Sequence, residues 1–333
     1  MSKVAVFGSG SWGTAFSLVL ADAGNSVTLW ARRQEVSDTI NAEHENLDYL
    51  PGVRLSEQIH ATHDPDEALQ GASIVALAVP SQALRANLED WAEHIPVDAV
   101  VMSLMKGVEV GTAKRMSEVI KDVTGIGSER VAVLTGPNLS HEIASRQPAA
   151  SVIACVDESV ARAMQGRCHS LAFRPYTNTD VIGCELGGAT KNVIALAVGM
   201  AVGLGFGANA TATVITRGLA ETARLGTALG ADPYTFSGLA GLGDLVATCS
   251  SPLSRNRSFG EKLGQGMSVE QITGATRQVA EGVTSCESIL DLAVRSGVEM
   301  PIVEAVATLL RGEMTPQEML YSLVSRAAKH ERA

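Results

Sequence analysis

The 333-residue chain is long enough for two domains of ordinary size, each with its own hydrophobic core. Hydrophobic residues make up 46% of the sequence and charged residues 19%, which excludes an intrinsically disordered chain. The formal net charge is -10, and no run of Lys or Arg is long enough to follow a phosphate backbone, so nucleic-acid binding is not expected. The histidines and cysteines show no metal-ligand spacing, and we therefore predict no metal site.

The first half of the chain alternates short apolar runs with segments of helical character. Runs rich in β-branched residues predict strands at residues 4–7, 27–30, 74–79, 100–104 and 131–134, and two edge strands at residues 150–156 and 171–177. Helices are predicted between several of these strands, at residues 14–23, 82–94 and 112–123. This alternation predicts an α/β domain with a doubly wound, mainly parallel sheet that is covered by helices on both faces.

From about residue 181 the strand-like runs disappear and helical periodicity dominates. Helices are predicted at residues 185–202, 211–229, 286–296, 302–310 and 316–326. We place the boundary between an N-terminal domain, residues 1–184, and an all-helical C-terminal domain, residues 185–333.

The longest apolar stretch, at residues 193–206, raises the question of a membrane span. It is shorter than the roughly 20 residues that cross a bilayer, and glycines interrupt it. We therefore predict a buried core helix and no membrane insertion. The N-terminus lacks the pattern of a secretory signal peptide, so a cytoplasmic location is expected.

A glycine-rich motif follows the first predicted strand. The segment Gly8-Ser9-Gly10-Ser11-Trp12-Gly13 matches G-x-G-x-x-G, and the next residues begin a helix. In this motif Gly8 permits a tight turn, Gly10 allows the backbone to approach a pyrophosphate, and Gly13 allows close packing of the helix on the strand. The N–H groups at the helix start attract phosphates. The motif therefore predicts a Rossmann fold that binds a dinucleotide, with Ser11 and Trp12 in the contacting turn.

The end of the second predicted strand indicates which dinucleotide binds. About 20 residues after the motif, an NAD site usually carries Asp or Glu, which binds the ribose 2′-hydroxyl. Here the strand is followed by Arg32 and Arg33, and the first carboxylate after them is Glu35. Paired guanidinium groups suit a 2′-phosphate through charge-assisted, bidentate hydrogen bonds. We therefore predict NADP, with NAD as the alternative coenzyme. The alternative for the two arginines is that they are solvated residues at the start of a helix and bind no phosphate.

An enzyme that uses a nicotinamide dinucleotide to reduce a ketone also needs a proton donor at the carbonyl oxygen. Lys191 is the best candidate, because it lies in a predicted helix that is otherwise lined with Gly, Ala and aliphatic residues. The residues three and four positions later are Ile194 and Ala195, so the ammonium group is expected to be partly desolvated and suited to proton transfer. The alternative is a structural lysine that extends from the helix edge into solvent.

Six motifs occur in a fixed order along the chain. They are Gly8-Ser9-Gly10-Ser11-Trp12-Gly13-Thr14-Ala15, Lys106-Gly107, Gly136-Pro137-Asn138, Lys191-Asn192, Gly241-Leu242-Gly243-Asp244-Leu245 and Ser254-Arg255-Asn256. This combination resembles the NAD(P)-dependent glycerol-3-phosphate dehydrogenases of the bacterial biosynthetic type, essentially from end to end. The resemblance implies reversible hydride transfer between sn-glycerol 3-phosphate and dihydroxyacetone phosphate, with Lys191 as general acid/base. It also implies a role in glycerophospholipid biosynthesis and a homodimer.

The resemblance assigns individual positions to the substrate and the coenzyme. The substrate-binding residues that it implies are Lys106, Gly136, Asn138, Lys191, Asp244, Ser254, Arg255 and Asn256. The coenzyme-binding residues that it implies are Gly8, Gly10, Ser11, Trp12, Gly13, Arg32, Arg33, Tyr49, Lys106, Ser140, Arg255, Val279 and Glu281. Residue chemistry agrees at two places: Ser254-Arg255-Asn256 offers groups that suit a phosphate monoester, and Asp244 can keep Lys191 charged and oriented.

Two other functions compete with this interpretation. A β-hydroxyacid dehydrogenase also combines a Rossmann domain, a helical domain and a catalytic lysine, but Ser254-Arg255-Asn256 favours a small phosphorylated substrate. A non-catalytic NADP-binding redox sensor has no need of both Lys191 and a phosphate-binding segment. We therefore expect a cytoplasmic enzyme that acts on a phosphorylated triose.

Overall fold

Within the part of the chain that this computed structural model describes, residues 2–275 and 280–326, the strands lie in the N-terminal domain and the C-terminal domain is helical. The strands are β1 Lys3–Phe7, β2 Ser26–Trp30, β3 Glu45–Asn46, β4 Leu50–Arg54, β5 Ile59–Thr62, β6 Ile74–Leu77, β7 Val100–Ser103, β8 Val131–Thr135, β9 Ala149–Ala154 and β10 Phe173–Asn178. The N-terminal helices are α1 Ser11–Asp22, α2 Gln34–Glu43, α3 Pro65–Leu69, α4 Leu84–Trp91, α5 Met116–Thr124, α6 Ser140–Ala144 and α7 Glu158–Cys168. The later helices are α8 Val181–Gly203, α9 Ala208–Ala228, α10 Asp244–Ser250, α11 Arg255–Gly264, α12 Val269–Gly274, α13 Glu281–Arg295, α14 Pro301–Leu310 and α15 Pro316–Val324.

Eight strands form one sheet in the order β10-β9-β8-β7-β6-β1-β2-β5. Its neighbouring strands pair in parallel except for β8 and β9. The strand order reverses at β1, because β2 and β5 extend the sheet in one direction while β6, β7 and β8 extend it in the other. Ligands of open α/β sheets bind beyond the carboxyl ends of the strands at such a reversal. The crevice at the ends of β1 and β6 is therefore the expected ligand site.

The sheet is buried on both faces, as its continuous apolar strands predict. On one face Val6 of β1 packs in a cluster with Phe16 of α1. On the other face the ring centroid of Phe7 lies 5.5 Å from that of Trp30 and 4.4 Å from that of Trp91. Successive residues of β1 thus fill two separate cores.

The predicted fold class is confirmed: a doubly wound, mainly parallel Rossmann sheet precedes a helical C-terminal domain. The seven predicted strands are present as β1, β2, β6, β7, β8, β9 and β10. Two features were not predicted from the sequence: β5, which pairs with β2 at the sheet edge, and the small antiparallel hairpin β3–β4. These strands are short and lack a clear apolar run, so nothing in their pattern separates them from loops.

The centre of the C-terminal domain is α8, against which α9, α10, α11, α13 and α14 pack. Asp180 caps its start by accepting a hydrogen bond from the backbone N–H of Gly183 at 2.8 Å. By length and composition α8 could span a membrane, but 94% of its most apolar window is buried inside the protein. The prediction of a buried core helix is confirmed.

A buried ion pair connects the two domains near the start of α8. Glu185 accepts hydrogen bonds from Arg115 Nη1 at 2.6 Å, from the Ser117 backbone N–H at 2.7 Å and from Ser117 Oγ at 2.6 Å. These donors offset part of the cost of removing the carboxylate from water, and burial still raises the pKa of Glu185. The predicted domain boundary, between residues 184 and 185, falls in the first turns of this helix.

A second buried carboxylate holds the start of α14. Glu221 of α9 is 4% exposed, and its two oxygens accept from the Ile302 backbone N–H at 3.0 and 3.1 Å. The free N–H groups at a helix start favour a negative charge. Burial outweighs this attraction and raises the pKa of Glu221 to about 7.

Glu221 should therefore make the free energy of unfolding depend on pH. Because its folded pKa lies above the ordinary value of 4.5, the stability that it contributes is full below about pH 4.5 and is lost as the pH rises through about 7. Glu221→Gln keeps an acceptor for the Ile302 N–H but does not titrate. Its free energy of unfolding, relative to that of the wild type, should therefore rise by on the order of 2 kcal/mol between about pH 5 and 8. Urea unfolding over a pH series measures this difference. A constant gap between the two proteins would contradict the assignment.

Candidate active site

The glycine-rich turn between β1 and α1 lies at the reversal of strand order. Gly8 has a φ of 116°, and a Cβ there would lie 2.6 Å from the carbonyl oxygen of Ala78, just after β6. A Cβ on Gly13 would overlap the carbonyl oxygen of Gly8. Gly10 precedes α1 and has open space where its Cβ would be. The turn therefore presents bare backbone and a helix N-terminus to the crevice, as a pyrophosphate requires.

The hairpin β3–β4 folds onto this turn. Asn46 Nδ2 donates to the carbonyl oxygen of Ser9 at 2.8 Å, and Ser11 Oγ donates to the carbonyl oxygen of Tyr49 at 2.7 Å. Next to Ser11, the buried indole Nε1 of Trp12 has no hydrogen-bond partner among the described residues. A buried donor without a partner is typical of a site that a ligand completes.

Arg32 and Arg33 follow β2 beside this hairpin, and both are exposed. Arg33 forms an ion pair with Asp48 of the hairpin, and this hydrogen bond raises the pKa of Arg33. Arg32 forms no ion pair with any residue that the structure describes. At this end of the crevice, the described part of the chain thus places one guanidinium without an ion pair and one exposed ion pair.

On the β7 side of the crevice, two lysines share one buried carboxylate. Lys106 Nζ donates to Asp244 Oδ2 and Lys191 Nζ donates to Asp244 Oδ1, each at 2.6 Å. Lys191 also donates to Thr248 Oγ1 at 2.6 Å, and Lys106 donates to the carbonyl oxygen of Gly136 at 2.9 Å. Asp244 is 1% exposed and Lys191 is 8% exposed. Because two ammonium groups share one carboxylate, the cluster has an excess of positive charge where water is scarce.

Three different elements bring this cluster together. Lys106 follows β7 at the carboxyl edge of the sheet, Lys191 lies in the middle of α8, and Asp244 is the first residue of α10. The turn before α10 can approach α8 because Gly187 has no side chain. A Cβ on Gly187 would lie 2.5 Å from the carbonyl oxygen of Ala240.

The surroundings of Lys106 determine its ionisation. Burial lowers the pKa of Lys106 to about 8, against the opposing effect of the Asp244 carboxylate, and the neighbouring Lys191 ammonium adds to the lowering. Lys106 is therefore protonated at neutral pH but can lose its proton at moderately alkaline pH.

A chain of amides connects the lysine cluster to the Ser254-Arg255-Asn256 segment. Asn192 Nδ2 donates to the carbonyl oxygen of Lys106 at 3.4 Å, and Asn256 Nδ2 donates to Asn192 Oδ1 at 3.0 Å. Asn256 Oδ1 in turn accepts from the backbone N–H of Gly282 at 2.9 Å. The amide of Asn256 therefore holds α8, α11 and α13 together, and one of its amide hydrogens remains for a ligand.

The other two residues of this segment lie at the start of α11. Ser254 is buried, and its Oγ accepts from the backbone N–H of Arg257 at 3.2 Å. Arg255 is the first residue of the helix, is exposed, and forms no ion pair with any described residue. A helix N-terminus next to an unpaired guanidinium suits an anionic group.

The remaining predicted residues lie elsewhere on the same two domains. Asn138 Oδ1 accepts from Ser151 Oγ at 2.8 Å, while its buried Nδ2 has no partner among the described residues. Ser140 is the first residue of α6 and Glu281 is the first residue of α13. Val279 lies outside the described residues.

Thr248, Asn192 and Asp48 were not predicted from the sequence to have a role, although all three contact predicted site residues. A signal exists for Thr248, because it lies four residues after Asp244 and that spacing puts both side chains on one face of α10. Asn192 belongs to the Lys191-Asn192 motif, in which only the lysine has an expected role. No pattern reveals Asp48, since its contact depends on how the hairpin folds back.

The fold and the site together define a class of protein. A bare glycine turn at the strand reversal of a Rossmann sheet binds dinucleotides, and a buried, hydrogen-bonded lysine beside that crevice can move a proton. The chain has the architecture of an NAD(P)-dependent oxidoreductase.

Comparisons with known proteins identify the family. The family model for the NAD-dependent glycerol-3-phosphate dehydrogenase N-terminus matches residues 3–161, and that for the C-terminus matches residues 180–321. Glycerol-3-phosphate dehydrogenase (NAD(P)+) of Streptomyces griseus is 62% identical over 330 residues, which cover 99% of this chain and 98% of that protein. The solved structure of glycerol-3-phosphate dehydrogenase from Coxiella burnetii matches with a TM-score of 0.93 at 36% identity, over 98% of this chain and 99% of that one. The chain belongs to the glycerol-3-phosphate dehydrogenase family, and the predicted resemblance is confirmed.

Lys106 should titrate near pH 8, and Asp244 should keep that midpoint from falling further. Because the Asp244 carboxylate raises the pKa of Lys106 against the larger effect of burial, Asp244→Asn should move the midpoint to lower pH. NMR of protein with 13C-labelled lysine can follow the titration, with Lys106→Met to assign the signal. A midpoint that stays at the wild-type pH in Asp244→Asn would show that the pair does not control Lys106.

Proposed function

We propose that this protein interconverts dihydroxyacetone phosphate and sn-glycerol 3-phosphate by NAD(P)-dependent hydride transfer. The observation that carries the proposal is the buried cluster of Lys106, Lys191 and Asp244 at the carboxyl edge of the Rossmann sheet, in a chain of this family. A ketone that binds at this cluster lies between the dinucleotide turn and a proton donor.

Lys191 is the proposed proton donor to the carbonyl oxygen, and in the reverse direction it accepts the proton from the alcohol. An ammonium group has three N–H donors, and hydrogen bonds to Asp244 and Thr248 occupy two of them. The third is left for the substrate oxygen. Asp244 stabilises the charge on Lys191, while Thr248 restricts the direction in which the remaining N–H points.

The proposed phosphate site combines Lys106 with Ser254, Arg255 and Asn256. Lys106 has one N–H donor left after its bonds to Asp244 and Gly136, and the guanidinium of Arg255 pairs with no carboxylate among the described residues. The excess positive charge of the lysine cluster favours a substrate that carries a phosphate dianion. The unpartnered Nδ2 of Asn138 and the backbone of Gly136 complete the proposed contacts.

The crevice fits a nicotinamide dinucleotide, which supplies or receives the hydride when it is bound. The crowded positions of Gly8 and Gly13 leave bare backbone for the pyrophosphate, and Trp12 offers a buried donor without a partner. The other proposed coenzyme contacts are Gly10, Ser11, Arg32, Arg33, Tyr49, Lys106, Ser140, Arg255 and Glu281, together with Val279 outside the described residues.

We also propose that NADP is preferred to NAD. Arg32 forms no ion pair with a described residue, which leaves its guanidinium for a 2′-phosphate, and the ion pair of Arg33 with Asp48 is exposed. Exposed pairs contribute roughly 0.2–1 kcal/mol, which is less than the roughly 1.5–3 kcal/mol of a hydrogen bond to a charged group. A 2′-phosphate can therefore draw Arg33 away from Asp48.

The family resemblance supports three further proposals: a cytoplasmic location, a homodimer and a role in supplying glycerol phosphate for phospholipids. The helical domain offers apolar surface for a second copy, since Phe206 is 44% exposed and Val246 is 42% exposed.

The purified protein should oxidise NADPH when dihydroxyacetone phosphate is added. It should not respond to unphosphorylated dihydroxyacetone or to the oxidised forms of β-hydroxyacids, because neither carries the phosphate that the cationic site requires. Lys191→Ala should lower kcat by about 100-fold or more, since general acid catalysis contributes about 10²–10⁴-fold. Nicotinamide absorbance measures both. Equal rates with the phosphorylated and unphosphorylated ketones would refute the proposal.

Changing Arg32 and Arg33 to Ala should weaken NADPH binding much more than NADH binding. Each lost contact to the 2′-phosphate should cost about 10-fold in affinity, because charge-assisted hydrogen bonds contribute about 1.5–3 kcal/mol. Titration of each coenzyme against protein fluorescence gives the two Kd values. Asp48→Asn serves as the control, because it frees Arg33 and should not weaken NADPH binding; equal losses for both coenzymes would rule out the 2′-phosphate contact.

A further inference from the structure

A hydrogen bond across the crevice has no role in the site described above. Ser81 directly follows Pro80, four residues after the end of β6, and its Oγ donates to Glu281 Oε2 at 2.6 Å. Ser81 is 2% exposed and belongs to the Rossmann domain, whereas Glu281 begins α13 in the helical domain. Because β6 is the neighbour of β1, this bond lies one strand away from the dinucleotide turn.

The packing around this bond is close. A Cβ on Gly107, which follows Lys106 at the end of β7, would lie 2.5 Å from Ser81 Oγ and 3.0 Å from Ser285 Oγ. Ser285 is one turn after Glu281 on α13 and is fully buried. The absence of a side chain at Gly107 therefore allows the start of α13 to lie against the carboxyl ends of β6 and β7.

We propose that Ser81 is a positioning residue for the nicotinamide coenzyme and acts through Glu281. Its hydroxyl fixes Oε2 of Glu281, which leaves Oε1, without a partner among the described residues, to accept from a coenzyme hydroxyl group. A ribose hydroxyl is the coenzyme group with matching chemistry, because a carboxylate accepts from hydroxyls and repels phosphates. This inference rests on the proposed function, since it assumes that a dinucleotide occupies the crevice.

The same contact aligns the substrate side of the cleft. The backbone N–H of Gly282, next to Glu281, donates to Asn256 Oδ1 of the proposed phosphate segment at 2.9 Å. Ser81 therefore ties the start of α13, and through it the start of α11, to the edge of the Rossmann sheet. A shift at Ser81 is transmitted to Glu281 first and to the phosphate segment second.

Ser81→Ala should raise the Kd for NADPH by about 10-fold, because a Glu281 carboxylate that is no longer fixed loses most of its own hydrogen bond to the coenzyme hydroxyl, and a hydrogen bond to a charged group contributes about 1.5–3 kcal/mol. At saturating NADPH, kcat should stay within about two-fold of the wild type, because Ser81 does not touch the reacting atoms. Ser285→Ala is the matched control. It removes a buried hydroxyl from the same contact, but one that has no hydrogen-bond partner among the described residues, so the Kd should not change.

A double-variant cycle separates positioning from general loosening of the cleft. If Ser81 acts through Glu281, adding Ser81→Ala to Glu281→Ala should weaken NADPH binding no further. Additive losses, or a Kd in Ser81→Ala equal to that in Ser285→Ala, would overturn the inference. If the wild type binds NADPH and the variants respond as expected, but dihydroxyacetone phosphate is not reduced, the proposed function fails while the role of Ser81 stands.

Discussion

The site depends on one buried carboxylate that two ammonium groups share. Asp244 accepts from Lys106 with one oxygen and from Lys191 with the other, at 2.6 Å each. Removing one partner from a buried ion pair generally costs about 3–5 kcal/mol, because a charge is left without compensation. Here the loss of Asp244 would leave two such charges, so this one side chain maintains the cluster that the proposed catalytic and phosphate-binding roles require.

The rest of the molecule positions the three members of that cluster. The Rossmann sheet presents Lys106, and the helical domain presents Lys191 and Asp244, so the site exists only while the domains are docked. The Arg115–Glu185 pair anchors the start of α8 to the sheet domain. The short amide chain through Asn192 then fixes the Ser254-Arg255-Asn256 segment relative to the backbone of Lys106.

The sequence was sufficient to predict the parts of the structure that follow periodic patterns. Apolar runs located β1, β2 and β6 to β10, and the glycine motif located the dinucleotide turn, because these features are local. The apolar helix around Lys191 likewise indicated a buried ammonium, and the pairing with Asp244 was suggested by chemistry. The exact partners were beyond reach: Ser81 and Glu281 are 200 residues apart, and Arg33 meets Asp48 only because the hairpin folds back. Such contacts come from tertiary packing, for which a single sequence has no periodic signal.

The distribution of aromatic residues gives the two domains different spectroscopic properties. The three tryptophans, Trp12, Trp30 and Trp91, all belong to the Rossmann domain, whereas α8 and its neighbours contain none. Intrinsic tryptophan emission therefore reports on the sheet domain and the dinucleotide turn, while far-ultraviolet circular dichroism is weighted toward the helical domain. Coincidence of the two signals during denaturation would mean that both halves melt as one cooperative unit, and separation of the signals would give each half its own stability.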